Sequence, residues 1–171
     1  MSSFSDRIRR LALLTSLTLA PAGCIQPLYG TLGPGVLESE LQAIRIEPIP
    51  DRFGHYVEKE LAFAFNGTGA DVPAKYRLVV TLKQKVQAPV VDTVTSRATA
   101  ATVIGDASFE LFPVGGGQPI MQGVAFSVAG YDRFSQRISN VRAARDAEIR
   151  DAKAIAEQIR TQIAARMASR N

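Results

Sequence analysis

The chain has 171 residues, with 20 Lys and Arg against 16 Asp and Glu, one His, one Cys and no Trp. Its net charge is +4, and the first 23 residues hold three Arg and one Asp, so the remainder keeps only +2. That is too dilute for a nucleic-acid binder, which concentrates its cations in one footprint. A single His and a single Cys argue against a zinc site built from several such ligands.

The chain opens with Arg7, Arg9 and Arg10, then an apolar run from Leu11 to Ala20, then Ala22 and Gly23 before Cys24. A basic segment, a short apolar segment and small residues form the layout of a secretory signal peptide. The run is too short to remain as a spanning helix, which takes about 20 apolar residues. Ala22-Gly23-Cys24 resembles the bacterial lipobox, although Pro21 stands where that motif usually carries Leu. The resemblance implies that residues 1–23 are a lipoprotein signal peptide and that Cys24 becomes the first mature residue, its sulfur carrying diacylglycerol. Each buried methylene adds about 0.8 kcal/mol, and two or more acyl chains hold a protein stably on a bilayer. The protein would then be lipid-anchored and periplasm-facing. Ile25 follows the cysteine instead of Asp, which by resemblance to known lipoproteins implies the outer membrane. The competing reading is ordinary cleavage that leaves an unlipidated thiol.

Residues 24–40 read as the lipidated tether, broken by Pro27, Gly30, Gly33, Pro34 and Gly35. Residues 41–171 read as a single α/β domain. Its first predicted strand is Leu41 to Pro50, with Pro48 and Pro50 ending its pairing. Asp51 is a plausible N-cap for a helix over about Phe53–Phe65, whose Val57, Leu61, Ala64 and Phe65 make one stripe. Asn66-Gly67 supplies a left-handed close to that helix. His55 lies in its first turn and reads as structural.

Lys75 to Gln87 is the clearest strand, with Tyr76, Leu78, Val80, Leu82 and Val86 on one face and Lys75, Arg77, Lys83 and Lys85 on the other. Ala88 to Ser96 reads as an apolar hairpin tip. Arg97 to Phe112 returns as a strand whose inward candidates are Ala101, Val103, Ala107, Phe109 and Leu111. After a turn at Pro113 and Gly115–Gly117, Ile120 to Tyr131 adds a third strand with Val124, Phe126 and Val128 on one face. Ser139 or Asn140 then caps a helix to about Met167. Its stripe is Ile149, Ala152, Ala156, Ile159 and Ile163, broadened by Ile155, while Arg145, Glu148, Arg150, Asp151, Lys153, Glu157 and Arg160 lie off it. The order β-α-β-β-β-α predicts an α/β two-layer sandwich, with two helices packed on one face of a four-stranded mixed sheet.

No catalytic constellation is visible. There is no nucleophile with a nearby base, and Gly115-Gly116-Gly117 lacks the Lys-Ser/Thr and the helix of a phosphate loop. The protein is expected not to be an enzyme, to hold no metal and to use no cofactor beyond the covalent lipid on Cys24. What remains is the basic row Lys75, Arg77, Lys83 and Lys85, with Arg97 across the hairpin. One reading is a solvated face that blunts edge pairing. The other is recognition of a phosphorylated, acyl-bearing molecule, with cations on the phosphates and Val90-Val91 on the lipid.

Cys24 followed by Gln26-Pro27-Leu28-Tyr29-Gly30, then Leu41…Ile44-Arg45-Ile46…Pro48-Ile49-Pro50-Asp51-Arg52…Gly54, resembles the lipopolysaccharide-assembly lipoprotein LptE family of alphaproteobacteria. Tyr131-Asp132…Ser135 and Ala144-Arg145-Asp146-Ala147…Ala156…Ile159 resemble the same family. The resemblance implies an outer-membrane lipoprotein that partners the β-barrel translocon LptD as plug and assembly factor. It further implies binding of lipopolysaccharide during delivery to the outer leaflet, and no nucleic-acid partner. The candidate lipopolysaccharide contacts Lys83, Lys85, Arg97, Lys75 and Arg77 rest on charge alone. The alternative is a free periplasm-facing lipid- or solute-binding lipoprotein.

Overall fold

The computed structural model describes residues 34–92 and 97–169. The expected signal peptide, Cys24 and positions 93–96 of the hairpin tip lie outside the described residues. Two 17-residue strands, β2 (Tyr76–Asp92) and β3 (Arg97–Pro113), dominate the fold as an antiparallel hairpin. The second strand keeps its apolar alternation through Leu78, Val80 and Leu82, and a bulge between Gln87 and Val90 lets Pro89 sit within it. Sequence reading placed this stretch in the turn. The pairing instead runs on to Asp92 opposite Arg97.

Strand β4 (Met121–Asp132) continues the antiparallel order on the other side of β3. The three-residue β1 (Ile44–Ile46) lies parallel to β2, giving the sheet order β1-β2-β3-β4. The turn into β4 uses Gly116 and Gly117 at φ of 83° and 115°, conformations that only glycine adopts without strain.

Helices α2 (Asp51–Asn66) and α3 (Arg137–Ala168) pack on one face of this sheet, and the two-layer α/β arrangement is as expected. The core joins Phe53, Val57, Leu61 and Phe65 of α2 to Leu78, Phe109 and Leu111 of the sheet and to Ile155, Ile159 and Ile163 of α3.

Several local expectations are corrected. The region read as tether up to residue 40, and as strand from Leu41, contains a further helix, α1 (Pro34–Gln42). Pro34 suits the first helical position, where its missing N–H costs nothing, and Leu37 and Leu41 bury one face in the core. Asp51 does not cap α2. Pro50 occupies the N-cap position, no side-chain cap bond forms, and Asp51 itself takes a φ of 71°. Gly67 is right-handed at φ −61°, and the chain is closed instead by the Asn66 amide, which exchanges hydrogen bonds with the backbone of Ala70. Helix α3 begins at Arg137, so neither Ser139 nor Asn140 is its cap; the Asn140 amide holds the preceding loop through both backbone groups of Phe134.

Glu148 and Asp151, placed off the apolar stripe, are buried, and Ile149, placed on it, is 39% exposed. The cause is that α3 faces two surfaces along its length. Its first half lies over β3 and β4, where Ala147 meets Val103 and Ala129. Its second half lies against α2 as well. A single helical stripe cannot describe both.

Candidate functional site

The helices cover one side of the sheet and leave the other open. Register decides what stands there. Lys85, Ile104 and Val128 lie side by side across β2, β3 and β4, and the next row is Lys83, Asp106 and Phe126. A third row is Thr81, Ser108 and Val124. At about 4.8 Å between strands, the lysine column stands some 10 Å from the β4 column. Val124, Phe126 and Val128 are 73%, 54% and 51% exposed, an unusual placement for three large apolar residues in one strand. Beside them a shallow hollow of about 400 Å³ is lined by Val79, Thr81, Ser108, Gln122, Gly123 and Val124 among others.

The outward turn of Val124, Phe126 and Val128 follows from how closely α3 approaches β4. The inward residues of β4 are Gly123, Ala125, Ser127 and Ala129, which alternate with the large ones. A Cβ added at Gly123 would lie 2.5 Å from the buried Phe109 ring and 2.7 Å from the Gln162 amide oxygen. Only small residues fit beneath the helix. Apolarity by itself would send the larger set inward, so the apolar half of this face was invisible as a site in the sequence.

The edge of β4 is also occupied. The Gln158 side chain accepts from Phe126 N–H at 3.2 Å and donates to its carbonyl at 2.9 Å, in the manner of a neighbouring peptide. Gln162 donates to the Val124 carbonyl and Arg150 to that of Gly130, both at 2.8 Å. These bonds blunt an edge that would otherwise offer itself to another strand.

The predicted basic row divides into two parts. Lys75 is committed to Glu40 of α1 at 2.6 Å, and that bond and charge hold its ammonium above the usual range. Arg77 pairs with Glu47 at 2.6 Å and lies over the Phe112 ring, 4.8 Å from its centroid. Lys83 and Lys85, about 20 Å further along the strand at 3.3 Å per residue, are exposed and make no ion pair among the described residues. Arg97 is placed by its backbone pairing with Asp92, while its side chain, like those of Val90 and Val91, lies outside the described residues. The structure therefore brings Lys83 and Lys85 together with Ile104, Val124, Phe126 and Val128, and keeps Lys75 and Arg77 apart from them.

Beneath the same sheet lies a second polar feature. Glu148 accepts from Arg52 in two bonds, from Nε at 3.1 Å and from a terminal nitrogen at 2.7 Å, fastening the start of α2 to α3. One turn on, Asp151 is fully buried and neither carboxylate oxygen has a hydrogen-bond partner. Burial pushes its carboxyl above the usual range; the nearby Ser127 hydroxyl pulls it partly back, and the charge of Asp106 pushes it up again. Both groups are closed off from the open face, so they belong to the packing of α3.

The fold and this face define a small two-layer α/β domain with one helix-covered and one amphipathic, solvent-facing side of its sheet. Among the described residues no helix is long and apolar enough to cross a membrane. No family model matches the chain, and no curated protein matches it in sequence. Its architecture is similar to solved structures of lipoproteins. A "putative lipoprotein" from Caulobacter crescentus superposes with a TM-score of 0.68 at 20% identity, over 81% of this chain and 100% of that one. A minor lipoprotein from Acinetobacter baumannii superposes with a TM-score of 0.57 at 15% identity, over 72% and 91%. At these identities the likeness is one of fold.

Proposed function

We propose that this chain is an outer-membrane lipoprotein, anchored by diacylglycerol on Cys24, that partners the LptD β-barrel as plug and assembly factor and binds lipopolysaccharide on the open face of its sheet. The observation that carries the reading is the placing of Lys83 and Lys85, which make no ion pair among the described residues, beside the half-buried Ile104 and the exposed Val124, Phe126 and Val128 across one surface. An ammonium group donates charge-assisted bonds to phosphate, and the β4 column offers apolar contact within an acyl chain's reach of it. A phosphorylated, multiply acylated glycolipid has both kinds of group. The leader and the order of motifs described above support the anchor and the barrel partner, since large barrels enclose lumens able to hold a folded plug. On this reading the protein performs no catalysis and needs no metal or cofactor; it works by binding.

Replacing Lys83 and Lys85 by Glu should weaken lipopolysaccharide binding about tenfold or more in a direct assay, as should Phe126→Ser with Val128→Ser, with the thermal transition unchanged. Affinity equal to the parent in both variants refutes the assigned face. Pull-down of a tagged copy from detergent-solubilised membranes tests the partner. Recovery with a much heavier barrel supports the plug, whereas a solitary monomer that extracts acyl ligand favours the free carrier.

A further inference from the structure

A different surface, on the first half of α3 and the turn before it, is left unabsorbed by that reading. Phe134, Ile138 and Val141 are 58%, 71% and 60% exposed and follow one another at steps of four and three. Ile149 continues the same side of the helix at 39%. Further along α3 this side is covered by α2, but α2 begins at Asp51, level with Glu148, and nothing described covers the helix before that point. The stripe is flanked by Arg133, Arg137, Arg142 and Arg145, all exposed. Among the described residues none of the four makes an ion pair or a side-chain hydrogen bond, and the Asp146 that follows them is already bound to Arg150. The first turn of α3 holds no acidic residue. Cations near a helix N-terminus oppose its dipole, so the local electrostatics of the helix disfavour this placement.

We infer that this stripe is a docking surface for an anionic phospholipid bilayer. Its side chains stand proud of a convex helix, which suits a planar interface better than a groove-seeking ligand. Large apolar groups in a line with arginines on both sides are what an interfacial helix uses, the apolar side chains entering the acyl boundary and the guanidinium groups meeting phosphates. Position within the fold gives the contact a purpose. The chain enters the domain at α1, whose Leu37 and Leu41 join the core with Phe65 and with Met167 near the end of α3. The stripe lies at the opposite end of a 32-residue helix, roughly 48 Å long. A lipid at one end already holds the chain on a bilayer, and a basic, apolar contact at the other would fix how the domain lies on it. The domain would then lie with α3 along the membrane before any partner engages it. The inference does not depend on the barrel reading and concerns a different face from Lys83 and Lys85.

The test is co-sedimentation of the mature chain, residues 24–171 carrying Cys24→Ser, with phosphatidylcholine vesicles, with and without about 30% phosphatidylglycerol. Binding should require the anionic lipid and fall away at about 0.5 M salt. Arg137→Gln, Arg142→Gln and Arg145→Gln together should weaken it about tenfold or more, and Ile138→Ser with Val141→Ser should do the same without altering the thermal transition, since both residues are exposed. Lys83→Glu with Lys85→Glu should leave it within about twofold. No binding, equal binding to neutral vesicles, or a loss confined to the Lys83 and Lys85 variant would overturn the inference. None of these outcomes bears on the lipopolysaccharide or barrel assays, which use other residues and other probes.

Discussion

Asp151 makes the stability of this domain depend on pH in a direction opposite to that of most carboxylates. It is fully buried between α3 and the sheet, neither oxygen has a hydrogen bond of normal geometry, and the nearby Ser127 hydroxyl offsets the burial only in part; a Cβ built on Gly105 would come within 2.7 Å of one oxygen. Burial therefore raises its folded-state pKa above the unfolded value of about 3.9. The folded protein then holds a proton that the unfolded chain has released, so stability falls as pH rises from about 4 toward the folded pKa, and stays low above it. A buried group without its hydrogen bonds costs about 1–3 kcal/mol. Asp151→Asn removes the ionisation and keeps the shape, so it should match the parent near pH 4 and gain about 1–2 kcal/mol by pH 7.5. For a domain of this size that is a rise of about 2–8 °C in Tm. The assay is thermal unfolding of both proteins followed by circular dichroism across this range. The difference between the two curves isolates Asp151 from other carboxylates. A difference that is flat with pH, or an Asn variant less stable at pH 7.5, would refute the reasoning.

Gly123→Ala should destabilise by about 1–3 kcal/mol, since the new methyl meets the buried Phe109 ring at 2.5 Å and overpacking strains a core that cannot move aside; denaturant unfolding measures it, and a neutral effect would show that α3 can lift off β4. Arg52→Ala should cost about 1–3 kcal/mol, because Glu148, whose side chain is 8% exposed, loses two bonds; the loss is below the ~3–5 of a fully buried pair because Arg52 is 62% exposed and solvent screens it. Lys75→Glu with Arg77→Glu should lower the thermal transition and leave lipopolysaccharide affinity within about twofold, because those cations hold Glu40 and Glu47 and stand apart from Lys83. A large loss of affinity in that variant would restore the single basic row.

Sequence alone was enough for the layer architecture. The alternation of Leu78, Val80 and Leu82, the stripe Val57, Leu61 and Phe65, and the glycine turn before β4 are short-range patterns, each set by one element's own period, and they recur in the structure as expected. The candidate lysines Lys83 and Lys85 were legible for the same reason. Their partners were not. Which side of β4 turns inward depended on a distance between a helix and a strand that no local pattern records. At that separation small residues win the interior and Val124, Phe126 and Val128 go out. Helix α1 was missed because Pro34 and Gly35 look like breakers until Leu37 and Leu41 find a core to enter. Burial of Glu148 and Asp151, the separation of Lys75 and Arg77 from Lys83, and the stripe left bare ahead of the start of α2 were likewise settled only when distant segments met. Periodicity reports what a segment prefers by itself. Which of two apolar faces is covered depends on what else the chain brings to it.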